Sequence, residues 1–166
     1  MKQKKILITV ILCAFVMTLG FSQRNASGNE APDFELELSN GKTVRLSDFK
    51  GKAVLLHFWA TWCPPCRREL PEMNALAEKL EQTGNSKLVF LAVCVSDTEK
   101  NRASFMKQNG YTFTNGLDAA GTIAGKYNIS GIPTSVLISP SGEIEKINVG
   151  AMSKDKIDSF VKGYAD

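Results

Sequence analysis

The fold is decided by the stretch AVLLHFWATWCPPCRREL, residues 53–70. Its first seven residues, Ala53–Trp59, form an apolar run with a single histidine, which is typical of a strand buried on both faces. A helix is predicted to open at the cysteines and to continue to about Gln82, because apolar residues recur at helical spacing before Gly84 stops it. Two cysteines therefore lie at the junction of a buried strand and a helix.

The spacing of Cys63 and Cys66, with Pro64 and Pro65 between them, suits thiol-disulfide exchange. Cys63 falls at a helix N-terminus, where unpaired N–H groups and the helix dipole favour a thiolate. Because only the thiolate attacks, Cys63 is the predicted nucleophile, and Cys66, one turn on, is predicted to resolve the mixed disulfide. The two prolines occupy early helical positions, where a missing N–H costs little, and should hold the sulfurs close together.

Two other roles are open to this cysteine pair. A zinc site needs about four ligands, whereas the chain has four cysteines, one histidine and no second close pair, so no metal is expected. A purely structural disulfide suits an exported protein, but bridging a two-residue gap removes little loop entropy and stabilises weakly. No cofactor is expected apart from the redox-active Cys63–Cys66 disulfide itself.

The beginning of the chain has the layout of a targeting segment. Three lysines in the first five residues precede the apolar run Ile6–Phe21, so residues 1–22 are predicted to be a signal peptide or an N-terminal membrane anchor. These lysines account for the whole net charge of +3, and the basic balance is therefore no sign of nucleic-acid binding. Residues 23–30 are predicted to be a linker and residues 31–166 one domain, which is anchored or secreted in the periplasm or at the outer face of the cytoplasmic membrane.

Strand and helix patterns alternate through the predicted domain. It opens with a β-hairpin whose turn, Asn40-Gly41, favours type I′. The later predictions, in chain order, are a short helix over Ser47–Lys50, a strand over Lys87–Val95, a helix over Thr98–Gln108 capped by Ser96 or Asp97, a short strand at Phe113, a helix over Ala119–Tyr127, a hairpin of Thr134–Ser139 and Glu143–Val149, and a helix from Ser153 to about Tyr164. This order implies an α/β domain with a central mixed β-sheet flanked by helices.

The segment His57–Pro71 resembles the active-site segment of thioredoxin-fold proteins and is most similar to the TlpA/ResA-like branch of thiol-disulfide oxidoreductases. The resemblance extends over nearly everything from residue 31 onward and includes Ala31–Phe34, Leu46–Lys52 and Gly131–Thr134. It implies a thioredoxin-like fold with an N-terminal β-hairpin and with a central strand-helix insertion at about residues 87–110.

The resemblance also implies roles for residues that surround the cysteines. Pro133 would be a cis-proline facing them, and Ile132 would offer backbone groups to a bound substrate strand. From the residues alone, Ile-Pro-Thr before an apolar strand is only a rigid extended turn. Trp62 would flank the loop in a more exposed position than Trp59, for which core packing is expected.

Two residues are candidates for proton handling. His57 stands where thioredoxins have a buried aspartate and the TlpA-like branch more often an asparagine; it could take the Cys66 proton, or it could be a hydrogen-bonded core residue. Asp97 aligns with an acidic residue that ResA-like proteins place near their cysteines, but it is one methylene shorter, and capping a helix is its other role. Cys94, on a buried strand, is expected to pack as an inert hydrophobe.

The expected activity is reduction of disulfides in exported client proteins, such as apocytochrome c during cytochrome c biogenesis or copper-site assembly proteins. The expected partner is a membrane thiol carrier of the CcdA or DsbD type, and no role is expected for nucleic acid. If the protein were instead an oxidant of its clients, the same exchange would run in reverse. A peroxiredoxin-like peroxidase shares the N-terminal hairpin pattern. Its reactive cysteine lies in a Pro-x-x-x-Thr/Ser-x-x-Cys segment, and the proline of that segment is absent before Cys63. A copper- or haem-handling chaperone could use Cys63 and Cys66, aided by His57.

Overall fold

The computed structural model describes residues 29–84 and 87–165. The predicted leader, residues 1–22, and most of the predicted linker lie outside these ranges. Within the described ranges, no helix combines the length and the apolar character that crossing a membrane requires.

The predicted hairpin is present as an antiparallel pair of strands, β1 (Glu35–Glu37) and β2 (Thr43–Arg45). The predicted type I′ turn is wrong. Type I′ needs positive φ at both central residues, and of the two only Gly41 has it, at +79°. The Gly41 N–H donates to the Leu38 carbonyl, so the loop is one residue longer than the pattern suggested. This is the three-residue form, a type I turn followed by a left-handed glycine.

The central sheet has five strands in the order β5-β4-β3-β6-β7. The pairs β3/β4 and β4/β5 are parallel, whereas β3/β6 and β6/β7 are antiparallel, so the sheet is mixed, as predicted. Its strands are β3 (Ala53–Trp59), β4 (Leu88–Val95), β5 (Asn115–Asp118), β6 (Thr134–Ile138) and β7 (Ile144–Val149).

Helices flank this sheet, and a 3₁₀ turn over Leu46–Phe49 precedes β3. The helices are α1 (Pro64–Gln82), α2 (Glu99–Asn109), α3 (Thr122–Lys126) and α4 (Lys154–Phe160). The strand-helix insertion predicted from the resemblance corresponds to β4 and α2. The mixed sheet, its flanking helices and the N-terminal hairpin together confirm the predicted thioredoxin-like architecture.

Several predicted boundaries are wrong. Neither Ser96 nor Asp97 is the N-cap of α2; Thr98 is, because its side chain accepts the N–H of Asn101. The strand predicted at Phe113 begins two residues later, as β5 along the edge of β4. Helices α3 and α4 are shorter than predicted, and α3 begins only after the left-handed Gly121.

Strand β3 is buried along its whole length, which confirms the prediction of burial on both faces. Alternate residues, from Ala53 to Trp59, pack toward α1 and α4, and the others, from Val54 to Phe58, pack toward the hairpin and α3. His57 belongs to the first set, since its ring contacts Phe90 of that cluster. The sheet therefore places His57 under α1, the helix that begins with the cysteine pair.

Candidate active site

Cys63 and Cys66 form a disulfide at the carboxyl end of β3 and the first turn of α1. Cys63 is the N-cap of this helix, and its Sγ accepts a hydrogen bond from the Cys66 backbone N–H at 3.2 Å. The two prolines fill the first helical positions, as the sequence predicts. A sulfur held at this point faces the unpaired N–H groups of the helix, which favours a thiolate on Cys63 once the disulfide is reduced.

The segment before β6 lies against the redox loop. The Ile132–Pro133 peptide bond is cis, which is the isomer that the resemblance implies. The Ile132 carbonyl oxygen lies 3.7 Å from Cys63 Sγ. Pro133 is buried and Ile132 half-buried. The first sulfur and the Ile132 carbonyl therefore lie side by side.

The outer side of the loop is fixed by the turn between β4 and α2, where Asp97 serves as an anchor. Its Oδ2 accepts the backbone N–H of Thr61 at 2.9 Å and the hydroxyl of Thr61 at 2.6 Å. Its Oδ1 accepts the N–H of Thr98 and the amide of Asn101. Although burial alone would raise the pKa of Asp97, these hydrogen bonds outweigh it and lower the pKa below its ordinary value.

Trp62 is held to the same turn. Its indole N–H donates to the Ser96 carbonyl at 3.0 Å, while 58% of the residue remains exposed. Trp59 is fully buried, so Trp62 is the more exposed of the two tryptophans, as predicted. The indole of Trp62 is an apolar surface beside the redox cysteines.

His57 lies beneath the loop and is fully buried. Its Nδ1 is 2.9 Å from the hydroxyl oxygen of Ser135 on β6, the strand residue directly opposite it. Burial lowers the pKa of His57 to about 3, because an imidazolium would lose its hydration in the core. At neutral pH the ring is therefore neutral.

Glu69 is the site residue that the sequence analysis missed. Its carboxyl group is buried under the loop, one helical turn after Cys66. Oε1 accepts the N–H of Met152 at 3.0 Å, and Oε2 lies 3.9 Å from His57 Nε2. Burial raises the pKa of Glu69 to about 7, although the Met152 hydrogen bond and Lys156 act in the opposite direction. A carboxyl group at this position can gain and lose a proton near neutral pH.

A signal for Glu69 was present in the sequence. Residues 66, 70 and 73 mark the buried stripe of α1, and position 69 falls within that stripe. An acidic residue on the apolar face of a helix breaks the pattern, and such breaks often mark functional sites.

Cys94 packs in the core on the α1 side of β4. Burial, with a further contribution from Asp97, raises the pKa of its thiol to about 12. The thiol is therefore protonated and inert, in agreement with the expected packing role.

A redox-active cysteine pair at the N-terminus of a helix, opposite a cis-proline on a sheet of this order, defines a thioredoxin-fold thiol-disulfide oxidoreductase. Comparison with known proteins agrees. Residues 27–147 match the AhpC/TSA family, and the chain belongs to that family.

Similar proteins are named for thiol-disulfide exchange. The thiol-disulfide oxidoreductase ResA of Bacillus subtilis is 36% identical over 172 residues, which cover 97% of this chain and 94% of ResA. A Chlorobium tepidum structure described as a putative thiol:disulfide interchange protein DsbE superposes with a TM-score of 0.73 at 32% identity, over 83% of this chain and 96% of that one. The exposed lipoprotein thioredoxin of Streptococcus pneumoniae gives a TM-score of 0.70 at 33% identity, over 79% and 98%.

Proposed function

We propose that this oxidoreductase reduces disulfides of exported client proteins outside the cytoplasmic membrane. The observation that carries the proposal is the position of Cys63, at a helix N-terminus and 3.7 Å from the Ile132 carbonyl. A client segment can present its disulfide to the sulfur while its backbone meets the segment before β6. The charged and apolar pattern of residues 1–22 supports the location, and so does the description of the pneumococcal relative as an exposed lipoprotein.

The reaction is an exchange of two disulfides. The Cys63 thiolate attacks one sulfur of the client disulfide, which forms a mixed disulfide and releases the other client sulfur as a thiolate. Cys66 then loses its proton and attacks Cys63 Sγ, which forms the Cys63–Cys66 disulfide and releases the second client thiolate. The client gains two electrons and leaves as two thiolates, which take up protons from water, while the enzyme pair loses two electrons and the Cys66 proton.

The second step needs a group that takes the Cys66 proton. The sequence names His57 for this role, but an imidazole whose burial lowers its pKa to about 3 holds no additional proton at neutral pH. Glu69, one turn from Cys66 and with its pKa raised to about 7, is matched to the task. We assign the proton to Glu69, which returns it when the pair is reduced again.

Asp97, the second candidate of the sequence analysis, is suited to a different role. All four of its strong hydrogen bonds come from groups that shape the loop and the start of α2. An ionised carboxylate with this many donors has little tendency to take a proton. We propose that Asp97 is a positioning residue, which fixes Thr61 and thereby the approach to Cys63.

The proposed docking surface for the client is formed by Trp62, Pro64 and Pro65 on one side and Ile132 and Pro133 on the other. Trp62 and Pro64 are exposed, and the Ile132 carbonyl faces the sulfur. The proposed clients are disulfide-containing exported proteins such as apocytochrome c or copper-site assembly proteins. A dithiol of a membrane carrier of the CcdA or DsbD type would reduce the cysteine pair again after each turnover.

Trapping in cells tests this function. Cys66→Ala should accumulate a mixed disulfide between Cys63 and its clients, because the resolving thiol is absent. The matched control is Cys63→Ala, which should trap nothing. If Cys63→Ala traps and Cys66→Ala does not, the assignment of nucleophile and resolver is overturned.

The reduction potential tests the direction. A value near that of thioredoxin, about −270 mV, supports a reductant, and a value near about −120 mV, typical of a strong periplasmic oxidant, would overturn it. Rapid peroxide turnover would instead favour the peroxidase. Copper binding that resists thiol competitors, together with poor reduction of a disulfide substrate such as insulin, would favour the chaperone.

A further inference from the structure

Three side chains from three elements form a line beneath the redox loop: Ser135 on β6, His57 on β3 and Glu69 on α1. The Ser135 hydroxyl oxygen is 2.9 Å from His57 Nδ1, and His57 Nε2 is 3.9 Å from Glu69 Oε2. Both ionisable side chains are fully buried. Among the described residues, neither His57 Nε2 nor Glu69 Oε2 has a hydrogen-bond partner.

A neutral imidazole has one N–H and one bare nitrogen, and which nitrogen carries the proton depends on its neighbours. Ser135 can donate to Nδ1 or accept from it, because a hydroxyl does both. Glu69 can donate to Nε2 when protonated and accept from it when ionised. The neighbours on both sides of the ring can therefore reverse their roles together.

We propose that Ser135, His57 and Glu69 act as one unit, in which the imidazole proton changes nitrogen whenever Glu69 gains or loses its proton. The 3.9 Å between Oε2 and Nε2 is longer than a hydrogen bond, so in either form the Glu69 side chain has to turn toward the ring. With Glu69 protonated, Oε2–H then donates to Nε2, and Nδ1–H donates to the Ser135 oxygen. With Glu69 ionised, Nε2–H donates to Oε2, and the Ser135 hydroxyl donates to Nδ1. The first form has one proton more than the second, and the imidazole is neutral in both.

The arrangement gives Glu69 a complementary partner in each of its charge states. A fixed donor at this position would stabilise the carboxylate alone, and a fixed acceptor would stabilise the acid alone. An imidazole that can either donate to Glu69 or accept from it favours neither charge state. The pKa of Glu69 therefore stays near 7, to which burial raises it. No buried imidazolium forms, which would be costly in this apolar environment.

In the part of the chain that the structure describes, few other ionisable groups face the unit. Lys156 of α4 acts on Glu69 with a positive charge. Cys66 of α1 is disulfide-bonded, and Cys94 of β4, on the same side of the sheet, has a pKa raised to about 12. From β4, Phe90 contributes an aromatic ring only. In the oxidised protein, Glu69 is therefore the group of this cluster that changes charge near pH 7.

The inference rests on the proposed function where it concerns turnover, since the unit would serve the proton step of Cys66. Its structural part does not depend on clients. Ser135 and His57 are positioning residues that act through Glu69, and Glu69 is the group that exchanges the proton.

The chain has a single histidine, so nitrogen NMR of the full-length protein labelled with ¹⁵N-histidine reports on this ring alone. As the pH rises through about 7, Nε2 should change from a bare to a protonated nitrogen, and Nδ1 should change in the opposite sense. A ring that keeps one tautomer from pH 5 to 9, or that becomes an imidazolium in this range, would overturn the proposal.

Variants separate the parts of the unit. Glu69→Gln should abolish the change of tautomer, and Ser135→Ala should move its midpoint by about one pH unit or more, whereas Ser135→Thr should restore it. Cys94→Ala, buried on the same side of the sheet, is the control and should leave the midpoint unchanged. An unchanged midpoint in Ser135→Ala would remove Ser135 from the unit.

The same proteins also separate this inference from the function. If the tautomer changes as described but the protein does not reduce client disulfides, the proposed function fails and the unit stands. If disulfide reduction is normal and the tautomer is fixed, the unit fails and the function stands.

Discussion

The redox loop is flanked by two buried carboxyl groups whose surroundings are opposite. Asp97, on the outer side, receives four strong hydrogen bonds, and its pKa is lowered. Glu69, beneath the loop, receives one from Met152, and its other oxygen has no hydrogen-bond partner within residues 29–84 and 87–165. The pKa of Glu69 is raised to about 7. The number of donors, rather than burial alone, decides which carboxyl group stays ionised and which exchanges protons.

The two carboxyl groups suit two different tasks of the proposed reaction. An oxidoreductase of this kind must hold its cysteines in a fixed geometry and must also move a proton in each cycle. A carboxylate saturated with donors does the first, since it is a rigid acceptor for Thr61. We propose that Glu69, a carboxyl group short of donors, does the second.

The largest expected effect is on how stability depends on pH. The lowered pKa of His57, from 6.5 to about 3, costs the wild type stability as the pH falls through this window. The raised pKa of Glu69, from 4.5 to about 7, costs it stability as the pH rises through that window. The free energy of unfolding of His57→Asn, relative to that of the wild type, should therefore rise by up to about 5 kcal/mol when the pH falls from 6.5 to 3. That of Glu69→Gln should rise by up to about 3 kcal/mol when the pH increases from 4.5 to 7.

Urea unfolding of the three proteins at a series of pH values measures these differences. The two variants should show slopes of opposite sign relative to wild type. Slopes of the same sign, or two flat lines, would contradict a lowered pKa of His57 together with a raised pKa of Glu69.

The next effect is kinetic. Glu69→Gln should slow the attack of Cys66 on a preformed mixed disulfide by about 100-fold, because a positioned proton acceptor is lost. Asp97→Asn should slow it much less, since Asp97 holds the loop and takes no proton. Stopped-flow release of a client peptide from Cys63 measures this step, and an equal loss in both variants would erase the distinction between the two carboxyl groups.

The smallest effect concerns the anchor itself. Asp97→Ala should cost about 2 kcal/mol of unfolding free energy at pH 7, because the Thr61 N–H loses its partner. The cost should shrink below about pH 3.8, the ordinary pKa of aspartate, since the contribution of a group with a lowered pKa is lost as the pH falls. Denaturant unfolding at pH 7 and pH 3 checks both statements, and a cost that grows on acidification would contradict them.

The strand-loop-helix segment was predictable because its local signals agree. The apolar run of β3, the helical spacing of α1 and the glycine after it all predict the same elements. The sequence also indicated the two cysteines, the proline pair and, through the resemblance, the cis-proline. These features depend on residues close together in the chain.

The rest depends on tertiary contacts. Strand β5 contains Asn115-Gly116, a pair typical of turns, yet it pairs with β4 and is bridged by Leu38; neighbouring strands, not propensity, make it a strand. The cap of α2 shifted to Thr98 because Asp97 is engaged with Thr61, which lies 36 positions earlier. Position 69 lies on the apolar stripe of α1, but the contact of Glu69 with His57 follows only from the packing of α1 over β3.

The most direct measurement is a pH titration of the two carboxyl groups, followed by carbon-13 NMR of the oxidised protein. Glu69 should titrate near pH 7 and Asp97 below its ordinary value of 3.8. If Glu69 titrates near 4.5 or below, or if Asp97 is the group that changes charge near neutral pH, the central claim of two carboxyl groups with opposite roles is contradicted.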